Sequence, residues 1–115
     1  NRHVPSAFLL VRYEDMTVDP ARELQRVLDF LNLKAINEAT IHQAIAYASF
    51  ENMRKLEQEG DLDSFRLRPG DIADPESYKT RRGKVGGFVD YLSQAEIDYL
   101  NQKIATELAD YFGYR

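Results

Sequence analysis

Ala7-Phe8-Leu9-Leu10-Val11 is continuously apolar and, after Ala7, built from large side chains. A short unbroken apolar run is how a strand reads when helices cover both faces of a parallel sheet. Such a strand, at about residues 7–12, needs neighbours. No second convincing strand follows, since Phe88 to Leu92 is short and interrupted by Asp90, and most of the rest is patterned as helix. The expectation is an α/β fold of which this chain is the C-terminal, mostly helical part, with one buried parallel strand and the other strands upstream of Asn1.

Working outward from that run, Tyr13 to Thr17 reads as a polar turn, and Asp19-Pro20 as an N-cap with proline at the first helical position. Leu24, Val27, Leu28 and Leu31 then recur at helical spacing, with Asn32 as a stop. A second helix is predicted from about Glu38, capped by Asn37, with Ile41, Ala44, Ile45 and Ala48 on one face. Ser49 can cap a third, Phe50 to about Leu56, with Phe50 and Met53 three apart. From residue 57 to 78 the periodicity is lost among Gly60, Pro69, Gly70, Pro75 and the acidic Glu59, Asp61, Asp63, Asp71, Asp74 and Glu76. That composition predicts a long mobile loop of the lid type. A last helix opens with the capping box Ser93-Gln94-Ala95-Glu96, carries Ile97, Leu100, Ile104, Leu108 and Tyr111 inward, and ends at Gly113.

The chain has 115 residues, enough for one domain or part of one, with 15 basic against 19 acidic residues and a formal charge of −4. That balance argues against a dedicated nucleic-acid domain, whose affinity depends on neutralising many phosphates. No cysteine is present, which excludes disulfides, zinc-thiolate sites and thiol nucleophiles. The apolar run is too short to cross a bilayer. His3 and His42 stand far apart without ligands at metal spacing, so no metal site is expected. Localisation defaults to the cytoplasm.

The most informative segment is Lys79-Thr80-Arg81-Arg82-Gly83-Lys84-Val85-Gly86-Gly87. Adjacent arginines offer forked donors suited to phosphate, and glycine lets backbone amides approach the same oxygens. For an arbitrary basic run, balancing a neighbouring acidic loop is the plainer reading, and the three glycines shift it toward a site. No Gly-x-x-x-x-Gly-Lys-Ser/Thr occurs. Tyr13, Phe50 and Met53 can form a flat apolar slot for a purine, although each alone reads more readily as ordinary core. Tyr13 stands just past the C-terminal end of the expected strand, where α/β sheets place their ligand crevices.

In order, Leu10-Val-Arg-Tyr-Glu-Asp15, Asp19-Pro-Ala-Arg-Glu-Leu24, Ala48-Ser-Phe-Glu-Asn-Met53 and Arg81-Arg-Gly-Lys-Val-Gly-Gly87 resemble the C-terminal half of sulfotransferases that use 3′-phosphoadenosine 5′-phosphosulfate (PAPS). The resemblance covers about Ala7 to Phe112. It implies the three-layer, P-loop-NTPase-like fold of that family, and residues 1–115 as the C-terminal part of one such domain. It implies that residues 79–87 form the 3′-phosphate loop, with Arg81, Arg82 and Gly83 on the phosphate. Tyr13 and Phe50 would border the adenine, with Met53 nearby. Ala48 stands where relatives often have Thr, and Gly87-Phe88-Val89 where they have Asp-Trp-Lys. The family's dimer motif is not matched by Val89, Ser93-Gln94 and Asp98.

The implied activity is transfer of a sulfuryl group from PAPS to a hydroxyl or amine of a small-molecule or carbohydrate acceptor, leaving adenosine 3′,5′-bisphosphate (PAP). The phosphosulfate loop and catalytic base belong upstream, so no catalytic residue is expected in this chain and the isolated 115 residues are expected to be inactive. A competing reading is a non-enzymatic helical interaction or anion-binding module. It leaves the joint order of the four motifs unexplained.

Overall fold

The computed structural model describes residues 6–61 and 67–114. The chain divides into two compact units, one of residues 11–83 and one that combines residues 1–10 with 84–115.

In the first unit four helices follow one another: α1 Tyr13–Val18, α2 Pro20–Phe30, α3 Glu38–Tyr47 and α4 Phe50–Glu59. Each of α1, α2 and α3 packs against the next. Helix α1 replaces the expected polar turn. Its start is held by a bidentate fork in which Arg12 Nε and Nη2 donate to Asp15 Oδ2 and Oδ1 at 2.6 and 2.7 Å. Glu14 and Asp15 also lie in the first turn, where the helix dipole favours negative charge. That Arg12 hydrogen bond, with further charge from Arg12, Arg22 and Arg26, holds the Asp15 carboxyl below its usual value against the opposing effect of desolvation.

The predicted caps all form. Asp19 accepts from the Arg22 amide, Asn37 from Thr40 and Ser49 from Asn52. Helix α2 closes with Asn32 at φ 58°, the Leu33 amide reaching Leu28 O and the Asn32 amide reaching Asp29 O. That pairing satisfies the last carbonyls of the helix. Leu28 is buried and Leu24 and Val27 are half-buried, whereas Leu31, expected on the same stripe, lies beyond the helix and is exposed. Ile41 of α3 is buried. Helix α4 runs to Glu59, beyond its expected end near Leu56, and stops at Gly60 with φ 73°.

Between α4 and the basic loop, residues 62–66 lie outside the described residues, as does His3, so the lid-like loop predicted for 57–78 is described only in part. Residues 71–78 are organised by their own polar groups. Ser77 Oγ donates to Asp71 O and Asp74 O, the Asp71 amide returns a bond to it, and a short 3₁₀ turn covers Pro75–Ser77. Tyr78, 2% exposed, donates its hydroxyl to Ile72 O at 3.1 Å.

The second unit contains α5, Gln94–Glu107, and 3₁₀ turns at Gly87–Asp90 and Asp110–Phe112. The capping box forms in both directions, and the hydrogen bonds from Ser93 hold the Glu96 carboxyl below its usual value. The helix ends at Glu107 rather than near Gly113, because Leu108 turns to an extended conformation. Tyr111 is thereby placed off the helical face, its ring 5.8 Å from Phe8 and 5.5 Å from Phe112.

The strand expected at residues 7–12 is not formed in this structure. No strand occurs among the described residues, and the stretch has no regular structure until α1 begins. Phe8 is 46% exposed, and Leu9 to Arg12 are half-buried. A parallel strand exists only through hydrogen bonds to adjacent strands, and no described segment supplies one. The α/β character and the P-loop-NTPase-like layering are therefore not formed within these residues, which are mostly helical.

Candidate anion-binding site

Helix α4 and the segment Tyr78–Gly83 lie side by side within the first unit. Positions i, i+3, i+4 and i+7 of a helix share one face, and in α4 these are Phe50, Met53, Arg54 and Glu57. Sequence periodicity identifies the first two. The two charged residues complete the stripe, and they hold the loop.

Glu57 is 2% exposed. Its Oε1 accepts the Lys79 amide at 2.6 Å, and its Oε2 accepts the Thr80 amide at 3.0 Å and the Thr80 hydroxyl at 2.7 Å. Burial alone would raise its pKa, yet those bonds and the nearby Arg54 charge outweigh it and hold the carboxyl below its usual value. Arg54 Nη1 donates to Thr80 O at 2.6 Å and to Arg81 O at 3.3 Å, and the guanidinium carbon stands 3.4 Å from the centre of the Tyr78 ring. Cation and ring face attract. The acid thus takes the loop's donors and the base takes its acceptors.

Phe50 completes the seam. A Cβ at Gly83 would lie 2.5 Å from Phe50 Cδ2, and Gly83 has φ +56°. Only glycine fits that backbone so close to the ring. Phe50 therefore meets Gly83, Arg54 meets Thr80 and Arg81, and Glu57 meets Lys79 and Thr80. The loop runs antiparallel to α4, along about 10 Å of helix.

Two adjacent arginines follow the pinned backbone. Arg81 is exposed, and its guanidinium has no ion pair among the described residues. Arg82 Nε lies 3.8 Å from Glu76 Oε1, both side chains being nearly half exposed. Such a long, solvated ion pair contributes little stability.

Of the six residues predicted to bind cofactor, all lie in the first unit. Phe50 and Gly83 are in direct apposition, Met53 is half-buried on the same face of α4, and Tyr13 opens α1 with its side chain 45% exposed. Residues 84–87 of the predicted phosphate loop belong to the second unit. There Lys84 pairs with Asp90 at 3.5 Å, and Gly86 at φ 73° leads into the turn at Gly87. No group of three or more His, Cys, Asp or Glu is placed to hold a metal among the described residues, and no described helix is long and apolar enough to cross a membrane.

A family model described as Sulfotransferase domain matches residues 2–112. Cytosolic sulfotransferase 12 of Arabidopsis thaliana is 28% identical over 106 residues, covering 90% of this chain and 30% of the relative. Cytosolic sulfotransferase 14 of the same plant is 32% identical over 112 residues, covering 91% and 30%. Sulfotransferase 1A1 of Mus musculus is 26% identical over 98 residues, covering 84% and 32%. The chain spans about 30% of the length of the curated relatives it matches. No solved structure matches.

Proposed function

The chain belongs to the sulfotransferase domain family, and we propose that its residues 11–83 recognise the adenosine 3′-phosphate end of PAPS. Arg81 and Arg82 take the 3′-phosphate through forked N–H donors, Gly83 gives the backbone access, and Tyr13, Phe50 and Met53 border the adenine. The observation that carries this reading is the loop held along α4, which bears two adjacent, exposed arginines beside a left-handed backbone position that only glycine accommodates. Such a donor set favours a doubly charged phosphate over a neutral group.

When bound, the cofactor supplies the sulfuryl group that passes to a hydroxyl or amine of a small-molecule or carbohydrate acceptor, with PAP as product. The base that takes the acceptor's proton and the residues around the phosphosulfate belong to the part of the relatives' length that this chain does not span. Ala7–Val11 becomes a buried parallel strand against that part, in a three-layer, P-loop-NTPase-like domain, and the 115 residues alone do not catalyse transfer. A cytoplasmic location accords with this reading. The non-enzymatic module is not favoured by family membership.

Calorimetric titration of the full-length protein carrying this chain tests the assignment. Arg81→Ala or Arg82→Ala is expected to weaken PAP binding about tenfold and to leave 5′-AMP binding unchanged. Equal losses for the two ligands reject the 3′-phosphate assignment.

A further inference from the structure

Arg54 and Glu57 hold the loop that carries the arginines, yet the binding reading gives them no role. Neither is a surface charge in the ordinary sense. Glu57 is almost completely buried, and its two oxygens accept three bonds from the two residues that precede Arg81. Arg54 bonds the carbonyls of Thr80 and Arg81 itself. Between them they fix both the N–H and the C=O groups of the backbone that carries the arginines.

We propose that Arg54 and Glu57 are positioning residues for anion recognition: α4 sets the loop backbone so that the Arg81 and Arg82 guanidiniums start from one fixed origin. The inference rests on the reading of that loop as the 3′-phosphate site. Arginine side chains lose about 2 kcal/mol of rotamer freedom when fixed on a ligand. A loop that also had to order its backbone would add about 1–2 kcal/mol per residue. The bonds from α4 remove that second cost before ligand arrives, which is the general effect of preorganisation on affinity. Arg54 and Glu57 need not touch the ligand for this. Glu57 also lies near enough to Arg54 for the two charges to offset one another within the seam.

The test measures, in the full-length protein, the ratio of PAP affinity to 5′-AMP affinity. This ratio reports the 3′-phosphate alone, and a fall in the folded fraction lowers both affinities by the same factor. Glu57→Gln turns one acceptor oxygen into a donor facing donors, and is expected to cut the ratio about tenfold. Thr80→Val keeps the side-chain shape and removes only the hydroxyl bond, with an expected loss of about fivefold. Thr80→Ser restores that hydroxyl and should restore the ratio. Should Glu57→Gln not fold, the Thr80 pair decides. An unchanged ratio in Thr80→Val, or in folded Glu57→Gln, overturns the positioning role if wild type prefers PAP and Arg81→Ala has lost that preference. A wild-type protein without any preference for PAP overturns the site reading, and the positioning role with it.

Discussion

Neither Tyr78–Gly83 nor Ala7–Val11 is helix or strand, yet the two stretches differ in what they lean on. The first is polar and pinned. Its start, Tyr78, is 2% exposed, and its amides and carbonyls are taken by Glu57 and Arg54. The second is apolar and open, with Phe8 46% exposed and its ring tilted against that of Tyr111. A loop's polar backbone can be satisfied by side chains of one neighbouring helix, at fixed distances and in any sequence context. A strand's backbone needs another strand, and its apolar side chains need a second layer. Polar loops can therefore be complete within a short chain where apolar strands are not.

The largest effect is expected at Glu57. Glu57→Ala leaves three loop donors without their buried acceptor and Arg54 without its nearby counter-charge, and should destabilise the first unit by about 3 kcal/mol, read by urea denaturation of the full-length protein. A loss below about 1 kcal/mol would mean that the loop is held by something else. Gly83→Ala comes next. The added methyl meets the Phe50 ring at 2.5 Å in a left-handed backbone, with an expected cost of about 2 kcal/mol. Phe50→Ala in the same molecule should recover the steric share and leave the conformational one.

Acidification sharpens the same contrast. The carboxyls of Glu57, Asp15 and Glu96 all sit below their ordinary values of 4.5, 3.8 and 4.5 in the folded chain. A depressed folded value means that the stabilisation is fully present above the unfolded value and is lost as pH falls through the folded one. Around Glu57 the groups concerned are Arg54 on its own helix and the Lys79 and Thr80 donors on the loop. Thermal melts followed by circular dichroism should be unaffected by these groups from pH 7 to about 5 and lose stability below about 4. Glu57→Gln should flatten part of that fall. The smallest effect is expected at the open stretch. In the 115-residue chain Phe8→Ala should cost under about 1 kcal/mol, because an exposed ring has little burial to lose. In the full-length protein the same change should cost about 3 kcal/mol once the strand is covered. Equal, small losses in both would reject the buried strand.

How much was legible in the residues follows from how far each feature reaches. Helix starts are local: Asp19, Asn37, Ser49 and Ser93 each satisfy an amide three residues on, and each was visible as a cap. Helix ends were less so. Glu57 to Glu59 read as loop because no apolar residue follows Leu56 in α4, and the identity of Tyr111 as an inward residue hid the break at Leu108. Helix α1 was missed because it is stabilised by an Arg12–Asp15 fork rather than an apolar stripe. At the site, Arg81, Arg82, Gly83 and Phe50 stood out by type and order. Arg54 and Glu57 did not, since their partners lie 22 to 27 residues away and a Lys/Arg/Glu helix face ordinarily reads as solvated. The available signal was that they continue the Phe50–Met53 stripe.

The seam between α4 and residues 78–83 has one more consequence. It fastens both ends of the segment from Gly60 to Ser77, so that segment is a closed ring in the folded chain. The entropy of closing such a ring grows only with the logarithm of its length, about 0.6 kcal/mol for each doubling. Insertions ahead of Asp71, outside the hydrogen bonds that organise residues 71–78, should therefore cost little while the arginines stay in place.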